Sequence, residues 1–97
     1  MKFHIMSLKL IFQNQMLKEH LIDFIKGKAK NQINYIKYLD KYHKLLDENI
    51  IKMETILKNI KIAQNIEQLM GYEGSISALY WESLRLILEV QIGRAHV

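Results

Sequence analysis

No proline occurs anywhere in the 97 residues, so no position ends a helix by removing its backbone donor. Only the four glycines, at 27, 71, 74 and 93, punctuate the chain. A chain with so few breakers folds into long helices wherever its apolar residues recur at threes and fours. They recur this way over residues 15–46, where Leu17, Leu21 and Ile25, then Ile33, Ile36, Leu39, Tyr42 and Leu46, share one face. Gly27 interrupts that face, and glycine inside a helix costs about 1 kcal/mol relative to alanine. It marks a bend, a close packing contact or a break between two helices. Ile50, Met53, Leu57 and Ile60 form a second stripe, and the two stripes predict an antiparallel helical pair.

Asn65 is placed to open a short third helix. Its side chain can accept from a free backbone amide, and Gln68 stands three residues later as the reciprocal partner of a capping box. Met70 and Gly71 are expected to end that helix. Glu73 then falls at or near the first turn of a final amphipathic helix whose inward face is Ile76, Leu79, Tyr80, Ser83, Ile87 and Val90. Gly71 and Gly74 bracket Glu73, a spacing suited to a tight helix-to-helix turn with close backbone approach. Residues 3–12 fit a strand and a helix equally well. The predicted fold class is all-α: a helical pair, a short helix and a last amphipathic helix.

Charge is unevenly placed. Residues 1–61 hold 12 lysines against 6 acids, and residues 62–97 hold 2 arginines against 4 acids. A basic half of this kind favours contact with phosphate through counterion release; it also describes an ordinary solvated lysine-rich surface. With no cysteine in the chain, disulfides and thiolate metal sites are excluded. Any metal is therefore held by oxygen or imidazole, which fits a reducing cytoplasmic setting. The apolar run from Phe3 to Phe12 contains His4, Ser7 and Lys9, too short and too polar to span a membrane. His4, His20 and His43 match no metal-binding pair and are expected to be incidental.

The most informative string is Leu69-Met70-Gly71-Tyr72-Glu73-Gly74-Ser75-Ile76-Ser77-Ala78-Leu79-Tyr80-Trp81. It resembles the signature of the CRISPR adaptation integrase family, Cas-one: a Leu-Met-Gly-x-Glu-Gly segment followed by small residues and a Tyr-aromatic pair. Upstream, Gly27-Lys28-Ala29-Lys30-Asn31-Gln32 is similar to that family's Gly-Lys-x-x-Asn-Gln helix. The resemblance runs from about Leu17 to Leu88. It implies a fold with an N-terminal β-rich domain, a linker and a C-terminal helical catalytic domain. Residues 1–14 would be linker or a remnant of the β-rich part, and residues 15–91 part of the catalytic domain.

The resemblance also implies chemistry. In the family, the glutamate matching Glu73 joins a His and an Asp from farther along the chain to bind a divalent metal, Mg or Mn, in a DNA endonuclease and integrase that inserts spacers into CRISPR arrays. The parent would act on DNA as a homodimer with a small Cas-two partner, in the cytoplasm of a prokaryote. Glu73 is the only one of those ligands assigned to this chain, so the chain alone is expected to be inactive. Two positions depart from the family's common pattern. Ile76 is larger than the usual Ala, and Ala78 stands where an Arg often follows, which leaves that Arg's part in phosphate contact unfilled.

The final hexapeptide, Ile92-Gly93-Arg94-Ala95-His96-Val97, departs from the Ile-, Lys- and Asn-rich composition before it. It resembles the translation of the start of a common sequencing adapter. On that reading residues 92–97 do not belong to the gene, His96 is no ligand, and nothing structural ends the last helix. Without the resemblance, Glu73 reads as a surface carboxylate near a helix N-terminus, stabilised by the helix dipole by about 0.3–1 kcal/mol. Tyr80 and Trp81 read as core aromatics. The competing functional class is a small helical module that binds a protein or a nucleic acid. Apolar half-stripes left uncovered predict poor solubility and a molten or self-associating product.

Overall fold

A computed structural model describes residues 2–93, with side chains placed from residue 14 onward. The side chains of the 3–12 stripe, His4 among them, and residues 94–97, which include His96, lie outside the described residues. The backbone forms three helices joined by short connections. They are α1 (Lys2–Leu39), α2 (Asp47–Asn59) and α3 (Ile66–Gln91), with a 3-10 turn (Ile60–Ile62) following α2. The all-α expectation holds, and among the described residues there is no strand. No helix among them is long and apolar enough to cross a membrane. α1 passes residue 14 without a break, so the backbone shows no boundary there.

α1 is 38 residues long, about 57 Å at 1.5 Å per residue, which accounts for most of the molecule's 67 Å length. Gly27 does not divide it. The buried face is Ile25, Ala29, Ile33 and Ile36, spaced by fours and a three. The expected stripe overran the helix, because α1 ends at Leu39 and Tyr42, in the turn that follows, is 85% exposed. The connection is organised by Asp40, a buried carboxylate. It accepts hydrogen bonds from the backbone amides of Leu45 (2.7 Å) and Leu46 (3.0 Å). Leu46 occupies the N-cap position of α2 and has no capping side chain of its own, so Asp40 supplies the acceptors from six residues upstream. Lys44 takes the left-handed conformation, φ 56°, and reverses the chain.

α2 returns antiparallel to α1, as the two stripes predict, and buries Ile50 and Met53. α3 closes the core. Leu46, Ile50 and Met53 pack with Ala29, Ile33 and Ile36 of α1 and with Ile76 and Ile87 of α3. A second cluster joins Ile25, Ile60, Ala63 and Leu69. Ile25 meets Leu69 in this cluster and Lys28 meets Glu73 a turn later, so α3 runs alongside α1 in the same direction.

At the start of α3 the Asn65 side-chain oxygen, Oδ1, accepts from the Gln68 amide at 2.8 Å, the predicted cap. The Gln68 side chain reaches back one residue farther than a capping box requires, accepting from the Gln64 amide at 2.8 Å. The largest correction concerns Gly71 and Gly74. They form no turn, because α3 runs through both of them without interruption, and neither has a positive φ. The short third helix and the final helix are one. Its end is also structural: Gly93, φ 74°, sits just past the C-cap, with Ile92 N bonded to Leu88 O and Gly93 N to Val90 O. This is a glycine-terminated helix end.

Candidate functional site

Glu73 occupies the third turn of α3, seven residues from Ile66, too far in for the helix N-terminus to act on it appreciably. Its setting is instead the seam between α1 and α3. The Lys28 ammonium lies 2.6 Å from Glu73 Oε1, and the Ser77 hydroxyl, one turn farther along α3, donates to the same oxygen at 2.9 Å. Both bonds land on Oε1, and among the described residues Oε2 accepts no hydrogen bond. A crevice lined by Ile25, Lys28, Ala29, Gln32, Glu73, Ile76 and Ser77 runs along this seam and is too tight to admit a water molecule.

The two motif strings are therefore a single spatial feature. Lys28 and Gln32 of the upstream string and Glu73 and Ser77 of the downstream one line the same crevice, although 45 residues separate the paired charges. The buried residues Ile25, Ala29, Leu69 and Ile76 set the distance between the helices, and the polar side chains meet above them. The Lys28 bond, then the Ser77 bond, hold the Glu73 carboxyl below the ordinary glutamate value; partial desolvation opposes them and does not prevail. Glu73 is thus an oriented, ionised carboxylate at neutral pH. The pair is partly open to solvent, with side-chain exposures of 41% for Lys28 and 22% for Glu73, so its energy is screened.

An ionised carboxylate oxygen is the donor type that Mg and Mn prefer, and Glu73 fits that chemistry. One carboxylate does not make a site, however. Among the described residues no three of His, Cys, Asp and Glu come together to hold an ion. Gly71 and Gly74, read from the sequence as a turn, are exposed helical positions flanking Glu73. A Cβ built on either would meet nothing within 4 Å. His20 and His43 are exposed and take no part.

Tyr80 is half-buried against the main core, as its place on the inward stripe predicts. Trp81 is not a core residue, because it is 66% exposed and meets Tyr80 edge-on at 5.6 Å. Met70 and Leu88, also exposed, share its side of α3, since eleven and seven residues each return close to a whole number of turns. Two polar contacts went unread in the sequence. One is the Asp40 cap. The other is Ser83, fully buried, which donates to Leu79 O at 2.7 Å and accepts from Asn49 Nδ2 at 3.1 Å. Ser83 shows up in the sequence only as the polar member of an apolar stripe.

Comparison with known proteins agrees with the motif strings. The sequence model of the family described as CRISPR associated protein Cas1 matches residues 11–95. The CRISPR-associated endonuclease Cas1 of Fusobacterium nucleatum subsp. nucleatum is 33% identical over 70 residues, 72% of this chain and 21% of that protein. The chain thus spans about a fifth of the length of that relative. No solved structure matches.

Proposed function

The chain belongs to the CRISPR associated protein Cas1 family, and from that premise we propose that it is part of a DNA endonuclease and integrase of CRISPR spacer acquisition. In this reading residues 15–91 form part of the helical catalytic domain, and Glu73 is one ligand of a divalent-metal centre, Mg or Mn. The observation that carries the reading is the joining of the two motif strings at Glu73 Oε1. It gives both strings one purpose, to fix the direction of one carboxylate.

The chain's own part in the chemistry is orientation. Lys28 from α1 and Ser77 from α3 itself restrict the Glu73 side chain through Oε1 and keep it ionised, so the carboxylate is oriented in advance. A bound divalent ion would stabilise charge developing on a phosphodiester as a DNA 3′-hydroxyl or water attacks. The His and Asp that complete the ligand set in the family are not assigned to this chain. We therefore expect no nuclease activity from the chain alone, with DNA, a second copy and the small Cas-two protein as partners of the whole enzyme in a prokaryotic cytoplasm.

The test is to sequence the source locus with long reads across both ends of the reading frame, and to express the uninterrupted protein beside its Glu73→Gln variant. The expected result is a frame supplying a later His and Asp, and Mn-dependent DNA cleavage that falls at least about a hundredfold when Glu73 loses its charge. Full activity in the variant, or robust cleavage by the 97-residue chain alone, sinks the assignment. A natural stop after codon 97 favours the second reading, a free-standing helical interaction module, for which the exposed Met70, Trp81 and Leu88 are the supporting observation.

A further inference from the structure

Lys26 and Lys30 stand one turn apart on α1, while Lys58 lies at the end of α2 and Lys61 in the 3-10 turn. With Leu57 and Glu54 they line one groove of about 410 Å³. Its single acid is already engaged, because Glu54 Oε2 lies 3.3 Å from Lys37 Nζ. Lys28, Lys37, Lys52 and Arg85 each have a carboxylate partner; among the described residues the four groove lysines have none within ion-pair distance.

This crowding of like charge is felt by Lys26. Loss of solvent, then the neighbouring Lys61 and Lys30, lower its ammonium value below that of an ordinary lysine, and Asp23 offsets this only in part. The groove is also separate from the carboxylate seam. Lys26 and Lys28 are two residues apart on one helix, a rotation of about 200°, so the groove opens on the far side of α1 from Glu73.

We propose that this groove is a second DNA contact, in which Lys26, Lys30, Lys58 and Lys61 bind the phosphates of one strand. Lysine serves phosphate as a point charge without a fixed geometry, and the contact is driven by counterion release. An acidic protein is the less suitable occupant, since protein interfaces are anchored by apolar or aromatic residues in pockets and Leu57 is the only apolar residue lining the groove. The choice of DNA as the ligand rests on the family reading above. The groove does not require Glu73 or a metal, so the two stand or fall separately.

The experiment is fluorescence anisotropy of a labelled DNA duplex titrated with the 97-residue chain in EDTA, from 50 to 200 mM KCl. Four phosphate contacts give a slope of log K against log salt of about −3.6, so affinity falls about 150-fold over that range; two contacts give about −1.8 and a fall of about 12-fold. Lys26→Gln/Lys61→Gln is expected to show the shallower slope. Lys41→Gln/Lys44→Gln, which removes the same charge at the α1–α2 turn, is expected to keep the steep one. Lys26→Arg/Lys61→Arg preserves charge and should keep it too, which separates loss of contact from loss of fold. No binding by the unaltered chain, an unchanged slope in Lys26→Gln/Lys61→Gln, or an equal drop in the control pair overturns the proposal. None of these outcomes bears on Mn-dependent cleavage at Glu73.

Discussion

Replacing Glu73 and Lys28 singly and together measures how firmly α1 holds the candidate ligand. The pair is short, at 2.6 Å, but Lys28 is 41% exposed, so solvent screens it. Exposed pairs contribute roughly 0.2–1 kcal/mol. The lesser exposure of Glu73, 22%, and its second bond from Ser77 place this one near the top of that range. The expected coupling energy in a Glu73→Gln, Lys28→Met cycle at pH 7 is therefore about 1 kcal/mol. In a chain of this size that corresponds to roughly 4–8 °C in Tm, within reach of thermal melts followed by circular dichroism.

The sign of the pH dependence follows from the carboxyl being held below its ordinary value in the folded state. The contribution is complete above the unfolded value, near pH 4.3. It is lost as pH falls through the lower, folded value. Coupling should thus be full at pH 7, decline below about pH 4.3 and shrink again in high salt. A cycle giving less than about 0.2 kcal/mol at pH 7, or the same coupling after the carboxylate has been protonated, would refute the claim that Lys28 positions Glu73.

Three further outcomes are expected. Gly27→Ala, Gly71→Ala and Gly74→Ala should each raise the stability of this chain by about 0.5–1 kcal/mol, read from chemical denaturation, because each glycine is helical and an added Cβ meets nothing within 4 Å; a loss of stability would show a contact absent from this fold. Asp40→Ala should cost about 2–4 kcal/mol in the same assay, since it removes a charged acceptor from two amides at the start of α2; a change under about 0.5 kcal/mol would mean that water replaces the cap. Trp81→Glu combined with Leu88→Lys should reduce self-association in sedimentation velocity, since both side chains are exposed on one side of α3; unchanged association would assign the contact to another surface.

The parts of the fold that rest on burial were legible, and those that rest on single residues were less so. The buried residues Ile25, Ile33, Ile36, Ile50, Met53, Ile76 and Ile87 all belong to the stripes read from spacing, because helical period and burial are the same geometric fact. Tyr42 shows where this fails. It continues the numerical pattern past a turn that only the long-range acceptor Asp40 explains, and a cap delivered from six residues upstream leaves no fixed spacing to find. Trp81 was misplaced by one helical position, enough to move a side chain by about 100° from the core edge to solvent.

The glycine pair beside Glu73 was misread because local propensity was weighed without packing. Gly71 and Gly74 together cost the helix about 2 kcal/mol, a plausible reason for it to stop. Leu69 and Ile76, seven residues apart on one face, are buried to 0% and 2% exposure and contribute about 1.5–3 kcal/mol each, so packing on either side of the glycines carries the helix through them. That outcome changes what the glycines can be for. Among the described residues no turn, no positive φ and no neighbouring atom requires them, yet they flank the one carboxylate that both motif strings converge upon. A residue that weakens its own helix without relieving a contact among the described residues fits a site approached from outside, where bare backbone lets another surface come closer than a side chain would allow. This supports the reading of Glu73 as a ligand completed by groups beyond the three helices. On the function proposed above, alanine substitution at 71 and 74 is expected to raise stability here while impairing cleavage by the uninterrupted protein.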